Sequence, residues 1–281
     1  NSNKRIFVPY NFHSVLSNKM SSSILFVHGF LGDAKDWNTL LCMINPHLNG
    51  NCFELPGHGE SPPIGPSDND STTRWFRPAA ERLRIACNAL SEPPVIVAYS
   101  MGARLALYTA LYFRPAISGI VLIGAQPGIE TKIARINRLE KDELLSEQLK
   151  TIRNSHTFRT WLLNWYQTPL FGDLISQPNF KILLQRRLKQ SPALLAEAMR
   201  GLSVAVQPSL WPDLSKLAIP SLFIAGRKDV KYLSIAKQVA ELELPWRIAI
   251  CNKSSHAVHL QQPQWTVNQI KGFIADIAEN S

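Results

Sequence analysis

Short apolar runs rich in β-branched residues recur along the chain. They are Ile24-Leu25-Phe26-Val27, Val95-Ile96-Val97-Ala98, Ile120-Val121-Leu122-Ile123, Leu222-Phe223-Ile224-Ala225 and Ile248-Ala249-Ile250. No polar position interrupts them, so they are expected to be strands buried on both faces, as in a parallel sheet covered by helices. Helical segments lie between them. Arg82 to Leu90 precedes one strand, and Met101 to Phe113 follows it. Near the end, Ile270, Phe273, Ile274 and Ile277 fall on one helical face and are expected to pack on the core. Alternating strands and helices predict a doubly wound α/β domain with a mostly parallel central sheet.

The texture changes between about Ile129 and Val206. Strand-like runs vanish, and charged helical segments such as Lys132 to Lys150 and Lys181 to Lys189 replace them. Trp161, Trp165, Tyr166 and Phe171 cluster in the middle. The expected organisation is a core of residues 1–128 and 207–281, interrupted by a helical cap, 129–206, between two strands. Such a cap is expected to lie over the carboxyl ends of the strands, where open α/β sheets bind ligands.

Composition narrows the class. The 281 residues suffice for one large α/β domain or two modest ones, and 45% are hydrophobic, as in globular proteins. No apolar run reaches the ~20 residues of a membrane span. Asn1 to Met20 lacks the basic-then-apolar order of a secretory signal. A cytoplasmic monomer without a membrane partner is expected. Cys42, Cys52, Cys87 and Cys251 form no C-x-x-C pair, which argues against a metal knuckle or disulfide frame and suits a reducing compartment. The net charge is +9, yet no arginine-rich block or nucleic-acid motif accompanies it. There is no phosphate-cradling glycine loop and no zinc-type spacing, so no cofactor or metal is expected.

The strongest chemical signal is Ala98-Tyr99-Ser100-Met101-Gly102, which follows a strand and opens a helix. Ser100 then occupies a tight strand-to-helix turn that demands small residues two positions either side, the nucleophile elbow. Serine also caps helices, a role compatible with this one. His28-Gly29-Phe30 follows the first buried strand. The loop in that position supplies one oxyanion-hole N–H, here Phe30, and the residue after the nucleophile, Met101, supplies the other. Each such donor is worth on the order of ~3 kcal/mol to a developing negative charge. His28 is expected to be structural. Glu54-Leu55-Pro56-Gly57-His58-Gly59-Glu60-Ser61 reads as an architectural turn. Late in the chain, Ala225-Gly226-Arg227-Lys228-Asp229 places an acid after a strand, and Ser254-Ser255-His256-Ala257 follows the last strand. The order Ser100, Asp229, His256 is that of an elbow-type triad, with His259 a competitor for His256.

Together these elements resemble the α/β-hydrolase superfamily over essentially the whole chain. Four segments resemble one branch more closely. They are Phe26 to Asp33, Tyr99 to Arg104, Trp165-Tyr166-Gln167-Thr168-Pro169-Leu170-Phe171 and Ser203-Val204-Ala205-Val206-Gln207-Pro208. The branch is the 2-succinyl-6-hydroxy-2,4-cyclohexadiene-1-carboxylate synthases of menaquinone biosynthesis. This resemblance implies a lyase that eliminates pyruvate from a substrate with three carboxylates. Ser100, polarised by His256 and Asp229, would be the base, and no acyl-enzyme would form. Arg104, one turn past Ser100, would bind carboxylate, since arginine offers a planar two-donor fork. Arg138 and Arg186 match cap arginines of the family, with Arg135 and Arg187 as rivals of neighbouring register. Trp165 and Tyr166 would wall the pocket, and Lys231 matches a family position. Two family glycines are replaced by Ala98 and Ala103, and the acidic stretch before the cap matches weakly.

Two other readings use the same residues. A carboxylesterase, thioesterase or C–C bond hydrolase would share the triad, form an acyl-enzyme and have a more apolar pocket. A non-catalytic binding protein would carry a broken triad or a blocked oxyanion loop.

Overall fold

The computed structural model describes residues 23–44, 50–64 and 75–279. The reading of Asn1 to Met20 lies outside them. The described elements run β1 (Ile24–Val27), α1 (Asn38–Ile44), β2 (Gly50–Phe53), α2 (Phe76–Asn88), β3 (Val95–Tyr99), α3 (Met101–Tyr112) and β4 (Gly119–Ile123). Next come α4 (Lys132–Thr151), α5 (Ser155–Tyr166), α6 (Phe180–Arg187) and α7 (Pro192–Gly201). The chain returns to the sheet with β5 (Ser221–Gly226), α8 (Val230–Glu241), β6 (Trp246–Cys251), α9 (Val258–Gln261) and α10 (Pro263–Glu279).

The six strands form one sheet in the order β2-β1-β3-β4-β5-β6, and every pairing is parallel. Each of the five apolar runs is a strand. Alternate side chains enter opposite cores, so both faces need apolar residues. Ile24, Phe26, Val97, Val121 and Ile224 pack with α1, α10 and the inserted helices. Leu25, Val27, Ile96, Leu122 and Phe223 pack on the other face with α2, α3 and α8. Ile270, Phe273 and Ile274 of α10 are buried, and Ile277 packs against them.

Two elements differ from expectation. Strand β2 is half-buried along its length and contains Asn51 and Cys52 rather than an apolar run. Its pairing with β1 defines it, not its hydrophobicity. Helix α2 starts six residues before the expected Arg82, at Phe76. Phe76, Ala79, Ala80, Leu83 and Cys87 form its buried stripe, at the spacing of a helix face.

Helices α4 to α7 all fall between β4 and β5. Local caps define their starts. Thr131, Asn154 and Ser191 each accept a hydrogen bond from a first-turn N–H, and Pro192 occupies the first turn of α7. Ser146 Oγ of α4 donates to the Ala196 carbonyl of α7, at 2.9 Å.

The strand order sets the site. The chain leaves β1 toward β2 and then crosses back to β3 on the other side of β1. Loops after β1 and β3 therefore diverge at their carboxyl ends and open a crevice there.

Candidate active site

Ser100 sits at the end of β3 with φ 51° and ψ −112°, a conformation that L residues rarely adopt. Holding it costs on the order of 1–3 kcal/mol. The surroundings enforce it. Ser100 N–H donates to the Ile123 carbonyl at 2.8 Å, and its own carbonyl accepts from Arg104 N–H at 3.0 Å. Ala98 is fully buried. A side chain at Gly102 would collide with the His28 carbonyl. These contacts are the physical reason for small residues on both sides of the elbow.

The structure brings Ser100, His256 and Asp229 together. His256 Nε2 lies 2.8 Å from Ser100 Oγ, and His256 Nδ1 lies 2.9 Å from Asp229 Oδ2. Asp229 caps α8, where its Oδ1 accepts from Tyr232 N–H at 3.2 Å. The helix N-terminus further stabilises this carboxylate. The imidazole packs against the ring of Tyr232, 4.2 Å away, and that of Tyr99 at 5.2 Å. Gly124, at φ 59°, passes so close that a side chain there would meet the His256 ring at 2.8 Å. Burial lowers the His256 pKa below its usual value, only partly offset by the bond to Asp229. The imidazole is therefore neutral at neutral pH, with Nδ1–H donating to Asp229 and Nε2 able to take the Ser100 proton. His259 stacks on Trp37 at 4.7 Å, and burial holds its pKa near 3.

The β1 loop completes the core of the site. Gly29 runs so close to the elbow that a side chain would meet the Tyr99 ring at 2.7 Å. Met101 N–H opens α3, where an amide has no intrahelical acceptor. Phe30 lines the same cleft. Two histidines brace the loop. His28 Nδ1–H donates to the Gly29 carbonyl at 2.8 Å, while its Nε2 accepts from Leu55 N–H at 3.1 Å. His58 Nε2 accepts from Leu31 N–H at 3.1 Å. Burial lowers both pKa values, which keeps the acceptor nitrogens unprotonated. Both histidines are structural, and the Glu54–Ser61 turn exists to present His58.

A cleft opens over Ser100 and His256. The inserted helices supply Trp165, Tyr166, Leu170, Phe171 and Arg187 to its wall. Trp165 meets Phe30 edge-on at 5.5 Å and stacks on Trp161 at 5.6 Å.

Charged side chains form two groups. In one, Asp36 is buried and accepts from both Arg186 (2.6 Å) and Arg187 (2.6 and 2.9 Å). Arg187 Nε–H also donates to Tyr166 Oη at 3.0 Å. Burial opposes charge on Asp36, but the arginines outweigh it and hold the carboxyl below its usual range. Of the two neighbouring arginines, Arg187 lines the cleft. Arg186 spends its donors on Asp36 and the Lys35 carbonyl.

Arg104, Arg138 and Lys231 form a second group, which does not line the cleft but lies near enough for Arg104 and Lys231 to act on His256 electrostatically. Arg104 is buried and donates to Gln207 Oε1 (2.9 Å) and the Leu202 carbonyl (2.8 Å). Burial and the nearby Arg138 lower its pKa to about 10. Lys231 has exposed surface, but protein around its ammonium and the two arginines lower it to about 8. Arg138 pairs with buried Asp142 at 2.9 Å, and Ser203 Oγ donates to the same carboxylate at 2.6 Å. Arg135 instead donates to the Ala205 and Gln207 carbonyls. The segment Ser203–Pro208 thus holds both Arg104 and Asp142 in place.

Sequence reasoning missed Asp36 and Gln190, and it marked Gln207 only as part of the matched segment Ser203–Pro208, without a role. The side-chain partners of Asp36 and Gln190 lie 131 to 159 residues away, so no local spacing marks them. Among the described residues, no group of His, Cys, Asp and Glu is arranged to hold a metal ion, and no helix is long and apolar enough to cross a membrane.

A six-stranded parallel sheet, a strained serine after β3 and the acid and histidine after later strands define an α/β-hydrolase-type enzyme. The profile of the alpha/beta hydrolase family matches residues 24–269, and the chain belongs to that family. Among individual relatives, it is 29% identical over 252 residues to the 2-succinyl-6-hydroxy-2,4-cyclohexadiene-1-carboxylate synthase of Salmonella paratyphi B, covering 88% of this chain and 92% of that one. It is 31% identical to Protein PHYLLO, chloroplastic, of Arabidopsis thaliana over 96% of its own length, and it spans 16% of that much longer protein. The solved structure of MenH from S. aureus superposes with a TM-score of 0.81 at 26% identity, covering 92% of this chain and 96% of that one.

Proposed function

We propose that this chain is a carbon–oxygen lyase of menaquinone biosynthesis. It eliminates pyruvate from 2-succinyl-5-enolpyruvyl-6-hydroxy-3-cyclohexene-1-carboxylate to give 2-succinyl-6-hydroxy-2,4-cyclohexadiene-1-carboxylate. The observation that carries this reading is an assembled, neutral triad with Arg187 in the cleft wall and Arg104 and Lys231 close enough to act on His256. The relatives named above support it.

In this reading the substrate sits with the ring proton beside the succinyl ketone facing Ser100. Ser100 Oγ removes that proton while passing its own to His256 Nε2, 2.8 Å away. Asp229 holds the imidazole in the required tautomer and stabilises its charged form. Electron density moves onto the ketone oxygen, which the N–H groups of Phe30 and Met101 stabilise. It then returns through the ring, and the ring C–O bond breaks, releasing the enolate of pyruvate; a proton taken up by that enolate gives pyruvate, and loss of the proton from His256 restores the neutral triad. No bond between Ser100 and substrate is needed.

The cations bind the three carboxylates. Burial and mutual repulsion depress both Arg104 and Lys231. A substrate carboxylate between them and Arg138 would relieve that repulsion, so this group favours an anion. Arg187 offers a second anion contact, because Asp36 and Tyr166 use three of its five N–H groups. Arg186 supports it by sharing Asp36. Trp165 and Tyr166 wall the ring's place. The insertion, residues 129–206, acts as a cap over the core formed by 1–128 and 207–281. The proposed setting is the cytoplasm and the proposed state a monomer, with no nucleic-acid or membrane partner.

The test is pyruvate release from the enolpyruvyl substrate generated in situ, with the conjugated diene followed by absorbance. Acceleration over spontaneous elimination that disappears in Ser100→Ala supports the reading. No acceleration, with turnover of p-nitrophenyl esters, would move the chain to the hydrolases that share this triad.

A further inference from the structure

The oxyanion loop contains a backbone conformation that cannot hold itself. Leu31 has φ 67°, in the left-handed region that a residue with a side chain rarely adopts. The core supports only part of the loop: His58 meets Leu31 N–H, and His28 and Gly32 N–H meet the Gly29 carbonyl. The carbonyls of Leu31 and Gly32 face the other way, toward the inserted helices. There Gln190, in the turn between α6 and α7, directs Nε2–H at Gly32 O (2.8 Å) and Leu31 O (3.4 Å). Its Oε1 accepts from Gly59 N–H at 2.8 Å, on the turn that carries His58. The side chain is more than nine-tenths buried. It does not line the cleft, so it reaches the chemistry only through the loop.

We propose that Gln190 is a positioning residue that couples docking of the inserted helices to the placement of the Phe30 N–H. Gly32 is two residues from Phe30, so a shift of its carbonyl moves the donor. Only a side chain of this length with a donor and an acceptor on one planar group satisfies both loops. Arg187, three residues earlier, grips Asp36 just beyond the same loop. Arg186 adds a bond to the Lys35 carbonyl. The inserted helices thus hold the segment at several points, and Gln190 is the one that bonds the carbonyls next to Phe30 while staying clear of the cleft. The inference does not depend on the substrate, because an oxyanion hole serves elimination and acyl transfer alike.

The test uses Gln190→Ala and Gln190→Glu. Two rates are read: turnover of the enolpyruvyl substrate, and covalent labelling of Ser100 by a fluorophosphonate. In labelling, Ser100 Oγ attacks phosphorus, fluoride leaves, the proton passes to His256 and the phosphoryl oxygen occupies the oxyanion hole. Gln190→Ala is expected to slow labelling and kcat together by about tenfold or more, since small misplacements of reacting groups carry such penalties. KM should stay within about twofold. Gln190→Glu should match the alanine variant near about pH 8 and recover toward wild type as pH falls to about 5.5. The protonated carboxyl then offers the same donor and acceptor, and burial raises its pKa into that range.

Unchanged labelling in Gln190→Ala would overturn the proposal. So would a loss confined to KM or to thermal stability, or a Gln190→Glu variant that does not recover on acidification relative to wild type. If wild-type protein releases no pyruvate, the synthase reading fails, while the labelling ratio still decides the role of Gln190.

Discussion

Ser100, Asp229 and His256 stand on loops at the carboxyl ends of β3, β5 and β6, fixed by the strand pairing of a single sheet. Trp165, Tyr166 and Arg187 reach the same cleft from helices whose polar ties to the core include those through Asp36 and Gln190, up to 159 residues away in the chain. The first half is determined by backbone: a positive φ at Ser100, close passes at Gly29, Gly102 and Gly124, and a capping Asp229. The second half is determined by side-chain ion pairs and amide contacts. On the proposed function, chemistry rests on the half fixed by backbone, and selection among substrates rests on the half held by side chains.

The largest expected effect falls on the first half. Ser100→Ala should cut kcat by on the order of a million-fold, as removal of a triad serine does elsewhere. Its thermal midpoint should stay within a few degrees of wild type, because the backbone that holds the elbow is untouched. Pyruvate release and a melting scan check both, and retained activity would end the triad assignment.

Next comes the tie between the halves. Asp36→Ala leaves the Arg187 guanidinium buried without its carboxylate, which should cost about 3–5 kcal/mol in urea unfolding. Arg186→Ala leaves the Arg187–Asp36 pair intact and should cost about 1 kcal/mol or less. Equal losses would mean that removing Arg186 alone undoes the whole cluster and that the tie does not rest on the Arg187–Asp36 pair as the geometry indicates.

The same division explains what could be read in the sequence. Strands buried on both faces announce themselves as unbroken apolar runs, and the elbow announces itself because sterics restrict residues within two positions of Ser100. Asp229 and His256 were legible because chain order and strand ends locate them. Edge strand β2 was not, since Asn51 and Cys52 acquire strand character only by pairing with β1. The choice between Arg186 and Arg187 was not legible either. Neighbouring positions on a helix differ by about 100° in direction, and only the docking of α6 decides which one faces the cleft. Asp36 and Gln190 have no local signature at all, because each is selected by a partner more than a hundred residues distant, and Gln207 was visible as part of a matched segment but not as the partner of Arg104.

Arg104 sharpens the comparison, because it belongs to α3 of the sheet half but its partners Gln207 and Leu202 follow the inserted helices. If it binds carboxylate, Arg104→Ala should raise KM for the tricarboxylate substrate by about 10- to 100-fold, the worth of a charge-assisted hydrogen bond. A neutral ester should be affected much less. Equal losses on both would make Arg104 a structural clamp for the segment that holds it.

The smallest effect is on pH dependence, and it falls within the sheet half, where the triad histidine and the structural histidines respond in the same direction for different reasons. Burial holds His256 below its ordinary value of 6.5, so its basic form persists into mild acid. The acid limb of kcat/KM should therefore lie below pH 6.5. His28, His58 and His259 are also buried and neutral, with lowered pKa values. Below their unfolded pKa, the unfolded chain binds protons that the folded chain refuses. Stability is thus full above about pH 6.5 and falls as pH drops through it, by up to about 1.4 kcal/mol per pH unit for each such histidine. Measuring kcat/KM and the melting midpoint over one pH series separates the two causes. If activity falls while the melting midpoint stays well above the assay temperature, the limb belongs to His256. If both fall together, the loop histidines fail first, and the oxyanion side rather than the triad limits the enzyme in acid.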